Sequence, residues 1–197
     1  MRNNKTSVDF MSVVEFSHDL FRQHIDRGAH LVDATVGNGH DTVFLAKLAG
    51  KGGKVTGFDI QSEAINNTKK RIFKEGLEDI VELFQTGHEE MANYVKHKVE
   101  GIIFNLGYLP GGNKEIITKT EKTTAAVKSG LSLMKEGAIM VLVIYTGHKG
   151  GPEEEEALLE LAAGLDQEKY NVILYSFLNQ LKEPGKVMAI KKRYRGS

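Results

Sequence analysis

Residues Leu31-Val-Asp-Ala-Thr-Val-Gly-Asn-Gly-His-Asp-Thr42 decide the fold. A short apolar run ends in Asp33, Gly37 and Gly39 follow with one residue between them, and an apolar pattern with helical spacing comes next. This order predicts a strand, a tight glycine turn and the N-terminus of a helix. In a parallel sheet such a turn lies at the carboxyl ends of the strands, where α/β proteins bind ligands.

The turn matches neither of the two common phosphate-binding loops. A dinucleotide fingerprint needs a third glycine three residues after Gly39, and Thr42 stands there instead. A P-loop needs a lysine after its last glycine, whereas His40 follows Gly39. The acid Asp33 favours a ligand with positive charge, and S-adenosylmethionine (SAM) carries an ammonium and a sulfonium. An ordinary strand–helix turn without a ligand is the alternative.

The composition favours one domain over residues 1–197, long enough to bury a substantial core. Lys plus Arg and Asp plus Glu number 26 each, so no overall basic field of the kind found in many nucleic-acid binders is present. The absence of cysteine excludes disulfides and thiolate metal sites, and no His, Asp or Glu spacing argues for a metal. Without a membrane-length apolar run or a signal peptide, we expect a cytoplasmic protein; a homodimer stays open.

Helical and strand patterns alternate along the chain. The hydrophobic periodicity predicts an N-terminal helix at 10–24 and strands near 30–34, 54–59, 80–84, 101–106, 138–145, 171–178 and 187–192. It predicts further helices at 41–49, 62–74, 88–97, 115–135, with a break or softening near Gly130, and 152–163. We therefore expect a Rossmann-like α/β sandwich with a mostly parallel seven-stranded sheet and a C-terminal antiparallel hairpin.

The ends of the second and third predicted strands carry polar candidates. Asp59 ends the second strand and can accept both hydroxyls of a ribose, with Ile60 and Gln61 beside an adenine. Alternatively, Asp59 caps the helix that begins after it. Gly87 and His88 follow the third strand and could line the adenine edge, although His88 could also be a helix-terminal residue without a ligand.

The fourth predicted strand ends in Asn105, followed by Tyr108 and a rigid Pro110-Gly-Gly112 turn. An asparagine carboxamide can accept a hydrogen bond from an amino group while a tyrosine ring packs on a flat base. This arrangement suits the positioning of a nitrogen nucleophile. A structural turn, in which Asn105 satisfies the backbone, is the alternative.

These strand-end residues resemble the motifs of class I SAM-dependent methyltransferases. The resemblance lies in Asp33 with Gly37-Asn-Gly39, in Asp59 and in Asn105-Leu-Gly-Tyr108. The last motif is similar to the Asn-Pro-Pro-Tyr box of the amino-group methyltransferases, with Leu-Gly in place of Pro-Pro.

Three longer motifs together resemble a small bacterial family first described as rRNA methylases: residues 33–41, 105–112 and 145–151. That family is associated with methylation of the 5-aminomethyl group of 2-thiouridine at the tRNA wobble position. The resemblance implies a SAM-dependent N-methyltransferase that binds the tRNA anticodon region and forms 5-methylaminomethyl-2-thiouridine.

We therefore expect Asn105 to orient the amine and Tyr108 to hold the base, as the catalytic residues. The expected cofactor-binding residues are Asp33, Gly37, Asn38, Gly39, His40, Asp41, Thr42, Asp59, Ile60, Gln61, Gly87, His88 and Asn105. The expected substrate-binding residues are Tyr108, Pro110, Gly111, Gly112, Tyr145, His148, Gly150 and Gly151. Methyl transfer mainly requires alignment of nucleophile and methyl group, so His148 need not take part in the chemistry.

Two other functions remain open: a methyltransferase that acts on rRNA or a small-molecule amine, and a non-catalytic nucleotide-binding module. The module would have no use for Asn105 and Tyr108. Binding of RNA by a chain without net charge requires segregated basic residues, expected at Lys114, Lys119 and Lys122 or in the tail at 191–195. The acids at 153–156 are expected to form a solvated helix start turned away from the site.

Overall fold

The computed structural model describes residues 10–107, 118–180 and 184–194. The helices in these ranges are α1 (Val13–His24), α2 (His40–Ala49), α3 (Ser62–Glu75), α4 (Met91–Tyr94), α5 (Thr120–Leu133) and α6 (Gly151–Ala163), with a 3₁₀ turn at His88–Glu90. The strands are β1 (His30–Asp33), β2 (Lys54–Asp59), β3 (Val81–Gln85), β4 (Val99–Asn105), β5 (Met134–Ile144), β6 (Tyr170–Ser176) and β7 (Lys186–Lys192).

The described strands form one sheet in the order β3-β2-β1-β4-β5-β7-β6. Strands β1 to β5 are parallel, and β7 lies antiparallel between β5 and β6. The chain builds outwards from β1 to β3 and then returns to the other side of β1 with β4. This reversal leaves a crevice at the carboxyl ends of β1 and β4. The predicted mostly parallel sheet with a C-terminal antiparallel hairpin is confirmed.

Helices cover both faces of the sheet because successive strand residues point to opposite sides. Ile102 packs in a core with Met91, Val127 and Leu158 of α4, α5 and α6. Its neighbour Ile103 packs in a second core with residues of α1, α2 and α3. Apolar side chains on both faces are what a buried parallel sheet requires.

Helix α1 is defined by its cap and its buried face. Ser12 accepts a hydrogen bond from the Glu15 amide, and the Glu15 carboxylate accepts one from the Ser12 amide, which makes a capping box. Leu20 and Phe21 are buried on the side of α1 that contacts β5. This packing holds the polar residue His18 beside the crevice.

Most predicted boundaries differ from the structure by a few residues, and three differences have a structural reason or consequence. Strand β5 begins at Met134 rather than 138, since the β4–β5 ladder continues past an irregularity between Val99 and Gly101. The predicted helix at 88–97 divides into the 3₁₀ turn and α4. Helix α5 starts at Thr120 and shows no break at Gly130: a Cβ there would lie 2.6 Å from the Met140 side chain, so the missing side chain admits close packing.

The glycine turn between β1 and α2 meets α3 at very short range. Gly39, the N-cap of α2, has φ +78°, and a Cβ on it would lie 2.6 Å from Thr68 Oγ1. The same Thr68 hydroxyl donates to the Gly37 carbonyl over 3.0 Å. Gly39 is therefore required both by its backbone conformation and by the approach of α3.

We predict that Gly39→Ala lowers the free energy of unfolding by about 2–4 kcal/mol, because left-handed strain and a clash add together. Gly76→Ala is the matched control: Gly76 also has positive φ (+65°), but nothing lies within 4 Å of its added Cβ. It should cost only about 1–2 kcal/mol. Urea unfolding measures both, and equal losses would contradict the steric role of Thr68.

Candidate functional site

A cavity of about 610 Å³ opens at the carboxyl ends of β1, β2 and β4. Its walls are formed by the glycine turn, the ends of the strands, the start of α5 and the loop after β5. The described residues that line it are Ala34, Thr35, Val36, Gly37, Asn38, His40, Asp41, Phe58, Asp59, Ile60, Gln61, Thr86, Gly87, His88, Glu89, Asn105, Leu106, Gly107, Thr118, Lys119, Lys122, Tyr145, Gly147 and His148. The sequence-predicted residues therefore converge, with the exceptions described below.

Asp59 ties the end of β2 to the glycine turn. One of its carboxylate oxygens accepts the Gly37 amide at 2.9 Å, and the other accepts the Gln61 amide at 2.9 Å. Burial raises the pKa of Asp59, and these amides oppose that shift. Each oxygen retains further acceptor capacity at the cavity wall.

The wall beside Asp59 includes apolar side chains. Ile60 is 53% exposed, an unusual value for an isoleucine, and Phe58 lines the cavity next to it. The His88 Nδ1 atom donates to the Ala34 carbonyl over 3.2 Å. Burial lowers the pKa of His88, which keeps the ring neutral at pH 7. An uncharged aromatic base would fit this wall.

Asp33 lies beneath the cavity rather than in its wall. It is fully buried, and its carboxylate accepts the Thr42 hydroxyl at 2.6 Å and the Thr35 amide at 3.1 Å. Thr42 is likewise buried and absent from the lining, as is Gly39. None of these three residues lines the cavity, so their expected contact with a cofactor stays a prediction, and the hydrogen bonds of Asp33 support the turn.

Burial, together with the charge of Asp41, raises the pKa of Asp33 to about 7 from its ordinary value of 3.8. Between these two values the folded chain binds a proton that the unfolded chain releases, so stability contributed by this group is lost as the pH rises. We predict that Asp33→Asn gains stability relative to wild type from pH 4 to 7, by at most about 1.4 kcal/mol per pH unit. Urea unfolding across this range measures the difference, and a constant offset between the two proteins would contradict the assignment.

Asn105 is held at the end of β4 by two hydrogen bonds. Its backbone amide donates to the Thr35 hydroxyl over 2.6 Å, and its side-chain Nδ2 donates to Asp41 Oδ2 over 3.1 Å. Asp41 Oδ1 accepts from His18 Nε2 of α1 at 2.7 Å. With Nδ2 directed to Asp41, the other carboxamide atom, Oδ1, is the acceptor that Asn105 can offer to a ligand.

Tyr145 and His148 line the cavity from the loop after β5. Burial, and then the charge of Asp41, raise the pKa of the Tyr145 phenol. His148 Nδ1 donates to the Lys149 carbonyl over 3.1 Å, so the neutral ring carries its lone pair on Nε2. That Nε2 atom is buried and has no hydrogen-bond partner among the residues described.

Several of the expected substrate-binding residues either do not line the cavity or lie outside the described residues. Gly150 is the N-cap of α6 and Gly151 its first residue; neither lines the cavity. Tyr108, Pro110, Gly111 and Gly112 lie outside the described residues, as does Lys114.

The expectation of a fully solvated acidic start to α6 was wrong. Glu154 is 1% exposed, and its carboxylate accepts the hydroxyls of Thr118 at 2.8 Å and Thr123 at 2.5 Å. The Thr118 amide in turn donates to the Gly107 carbonyl over 3.1 Å. Glu154 thus anchors the entry to α5 beside the cavity.

We expected Lys119 and Lys122 to lie near one face of the same helix, and the structure places them differently. Lys119 is the extended N-cap residue of α5, and it is exposed at the cavity mouth. Lys122 lies in the first turn of α5 and forms an ion pair with Glu89. Glu89 therefore competes with any phosphate for Lys122.

Sequence reasoning missed the residues that support the glycine turn from outside. Arg71 Nε donates to the Asn38 carbonyl at 2.9 Å, and its guanidinium approaches His40 Nε2 at 3.2 Å. Thr35 supports Asn105 from within the predicted turn. Thr35 could have been singled out from its place between Asp33 and Gly37, whereas no local pattern marks Arg71.

Two features are absent from the described parts of the chain. They contain no helix long and apolar enough to cross a bilayer. Residues 10–107, 118–180 and 184–194 also contain no group of three or more His, Asp or Glu side chains placed to hold a metal ion.

The order of the strands, the cavity at the reversal of that order and the acids at the strand ends define the class of protein. The chain is a SAM-dependent methyltransferase. A family model described as Putative rRNA methylase matches residues 55–191. A tRNA (mnm(5)s(2)U34)-methyltransferase of Arabidopsis thaliana, described as chloroplastic, is 36% identical over 190 residues, covering 90% of this chain and 69% of that protein. The chain belongs to the Putative rRNA methylase family.

Solved structures give the same result. An rRNA methylase described as putative, from Clostridium thermocellum, has 41% identity and a TM-score of 0.92, covering 94% of this chain and 100% of that one. A methyltransferase of Streptococcus mutans, also described as putative, was solved with S-adenosylhomocysteine (SAH). It has 34% identity and a TM-score of 0.86, covering 93% and 99%. More distant methyltransferases, such as one from Thermotoga maritima at 15% identity and a TM-score of 0.65, share the fold.

Proposed function

We propose that this chain methylates the 5-aminomethyl group of 2-thiouridine at the wobble position of tRNA, with SAM as methyl donor. The observation that carries the proposal is the Asn105 carboxamide, held by Asp41 so that an acceptor oxygen remains for the cavity. An acceptor at this place suits an amine, which has N–H groups to donate. The wobble substrate is supported by the Arabidopsis relative, whose name specifies it.

The cavity suits SAM by charge and by shape. Asp59 offers carboxylate oxygens to ribose hydroxyls, and Ile60 with neutral His88 forms a surface for adenine. Gly37 has no side chain and lines the cavity with Asn38, which lets the amino-acid end come close to the turn. The acids Asp59, Asp41 and Glu89 line the cavity, which matches the positive charge of a sulfonium and an ammonium.

We predict that Asp59→Ala weakens SAM binding by about 1.5–3 kcal/mol, the range for hydrogen bonds to a charged group. Titration calorimetry measures the affinity. Asp79→Ala is the control, because Asp79 precedes β3 and does not line the cavity. Unchanged affinity in a folded Asp59→Ala protein would remove Asp59 from the cofactor site.

Beyond cofactor binding, the reaction requires that the amine be oriented towards the methyl group. When bound, SAM would supply an electrophilic methyl group: in-line displacement at the methyl carbon would break its C–S bond and leave SAH, and the methylated ammonium would lose a proton to water. Asn105 Oδ1 accepts an N–H of the amine and so directs the nitrogen lone pair at the methyl carbon. A transfer needs the neutral amine, and the Asn105 oxygen is uncharged, so it holds the amine without fixing it as an ammonium.

Tyr145 and His148 form the substrate-facing wall in this proposal. His148 Nε2, which has no hydrogen-bond partner among the described residues, offers a second buried acceptor near Gly107, two residues beyond Asn105. An N–H of the nucleobase or of the amine would satisfy it, and an unsatisfied buried acceptor is costly. Tyr145 supplies an aromatic face for a base turned out of its stack, as in other readers of single-stranded RNA.

RNA must approach a cavity whose mouth carries both positively and negatively charged side chains. Lys119 is exposed there, while Lys122 is paired with Glu89. Lys191 and Lys192 lie on β7 rather than in a free tail, and Arg195 falls outside the described residues. We therefore assign the first phosphate contact to Lys119.

The function is tested by incubating the purified chain with SAM and tRNA that carries 5-aminomethyl-2-thiouridine, followed by mass spectrometry of the nucleosides. A gain of one methyl group at the wobble nucleoside is expected. Transfer only to rRNA, or only to small-molecule amines, would replace the proposed substrate. Absence of transfer to any amine in a chain that binds SAM would favour the non-catalytic module.

In the same assay at saturating SAM, Asn105→Ala should lower kcat by about tenfold or more, because misalignment of the nucleophile raises the barrier directly. SAM affinity should change little. Asn67→Ala on α3 is a control of the same type: Asn67 contacts Asn38 but does not line the cavity. Wild-type kcat in Asn105→Ala would exclude the orienting role.

A further inference from the structure

We propose that His18 is a positioning residue for methyl transfer, acting through Asp41 on the Asn105 carboxamide. The inference rests on the proposed function and adds a residue of helix α1 to it. His18 precedes the first strand, and the region matched by the family model begins later, at residue 55.

The three side chains form a continuous hydrogen-bonded row. His18 Nε2 lies 2.7 Å from Asp41 Oδ1, and Asn105 Nδ2 lies 3.1 Å from Asp41 Oδ2. An ionised carboxylate only accepts hydrogen bonds, so both neighbours must donate to it. Asp41 is 7% exposed, which excludes most water from competing for these oxygens.

His18 is itself held rigidly from its other side. Its ring stacks on Phe44 of α2 with centroids 3.8 Å apart and planes inclined by 5°. The Arg22 guanidinium lies 5.2 Å from the centre of the same Phe44 ring. The stack holds the plane of the imidazole, and the hydrogen bond to Asp41 selects the orientation in which Nε2 points at that carboxylate.

The consequence for Asn105 is a choice between two amide orientations. One directs Oδ1 to the ligand side and Nδ2 to Asp41; the other exchanges the two atoms. The second would set the Asn105 oxygen against the Asp41 carboxylate and present an N–H₂ group to an amine that needs an acceptor. The first persists only while the Asp41 carboxylate stays in place, and the bond from His18 keeps it there.

Two substitutions separate the hydrogen bond from the packing. His18→Phe keeps an aromatic ring on Phe44 but removes the donor, and His18→Gln keeps an N–H donor but removes the ring. We expect His18→Phe to lower kcat by about tenfold, with the KM for tRNA within threefold of wild type. His18→Gln should recover most of that kcat.

The matched control is His24→Phe, the same substitution on the same helix. His24 Nδ1 contacts the Leu20 carbonyl within α1, and the residue does not line the cavity. His24→Phe should leave kcat unchanged. Equal kcat in His18→Phe and His24→Phe would overturn the proposal, and a loss confined to His18→Gln would point to the ring stack instead. Equal losses in His18→Phe and His18→Gln would also overturn it, because the N–H donor that Gln keeps would then fail to restore kcat.

A second readout does not depend on the methyl acceptor. The Nδ2 protons of Asn105, identified by the NMR signal that Asn105→Ala removes, should exchange with solvent faster in His18→Phe than in wild type and His24→Phe. Unchanged exchange would overturn the positioning role. If the wild-type chain methylates no wobble uridine, the proposed function fails, yet this measurement still decides how Asn105 is held.

Discussion

The site depends on how the glycine turn after β1 is held between its neighbours. Asp59 at the end of β2 accepts the Gly37 amide, and from α3 the Thr68 hydroxyl and Arg71 guanidinium donate to carbonyls of the turn. These bonds set the distance between two strand ends and one helix start. The cavity exists because backbone groups of the turn are satisfied from outside, which leaves its inner surface to a ligand.

Acids occupy two layers at this end of the sheet, and their surroundings separate their roles. Asp33 is fully buried against two donors, and burial raises its pKa to about 7. Asp59 and Asp41 are at the cavity wall, each receiving two hydrogen bonds. The same type of side chain thus supports the fold in one layer and lines the cavity in the other.

Much of the fold and part of the site could be predicted from local patterns. The Gly-Asn-Gly turn, Asp59 and Asn105 each follow an apolar strand, and parallel strands bring their carboxyl ends to one edge. Glu154 shows where this reasoning fails. A run of glutamates at a helix start indicates solvent, yet Glu154 is buried, since Thr118 just before α5 and Thr123 within α5 supply its donors.

By itself, the sequence determined the order of strands and helices, the turn after β1 and the polar residues at the strand ends, because periodicity and glycine spacing are local properties. The tertiary structure alone decided that Asp33 lies beneath the cavity, that Lys122 is paired with Glu89, and that His18 reaches Asp41. The last two contacts join residues 23 and 33 positions apart, and no local sequence pattern indicates which faces of two distant elements will pack together.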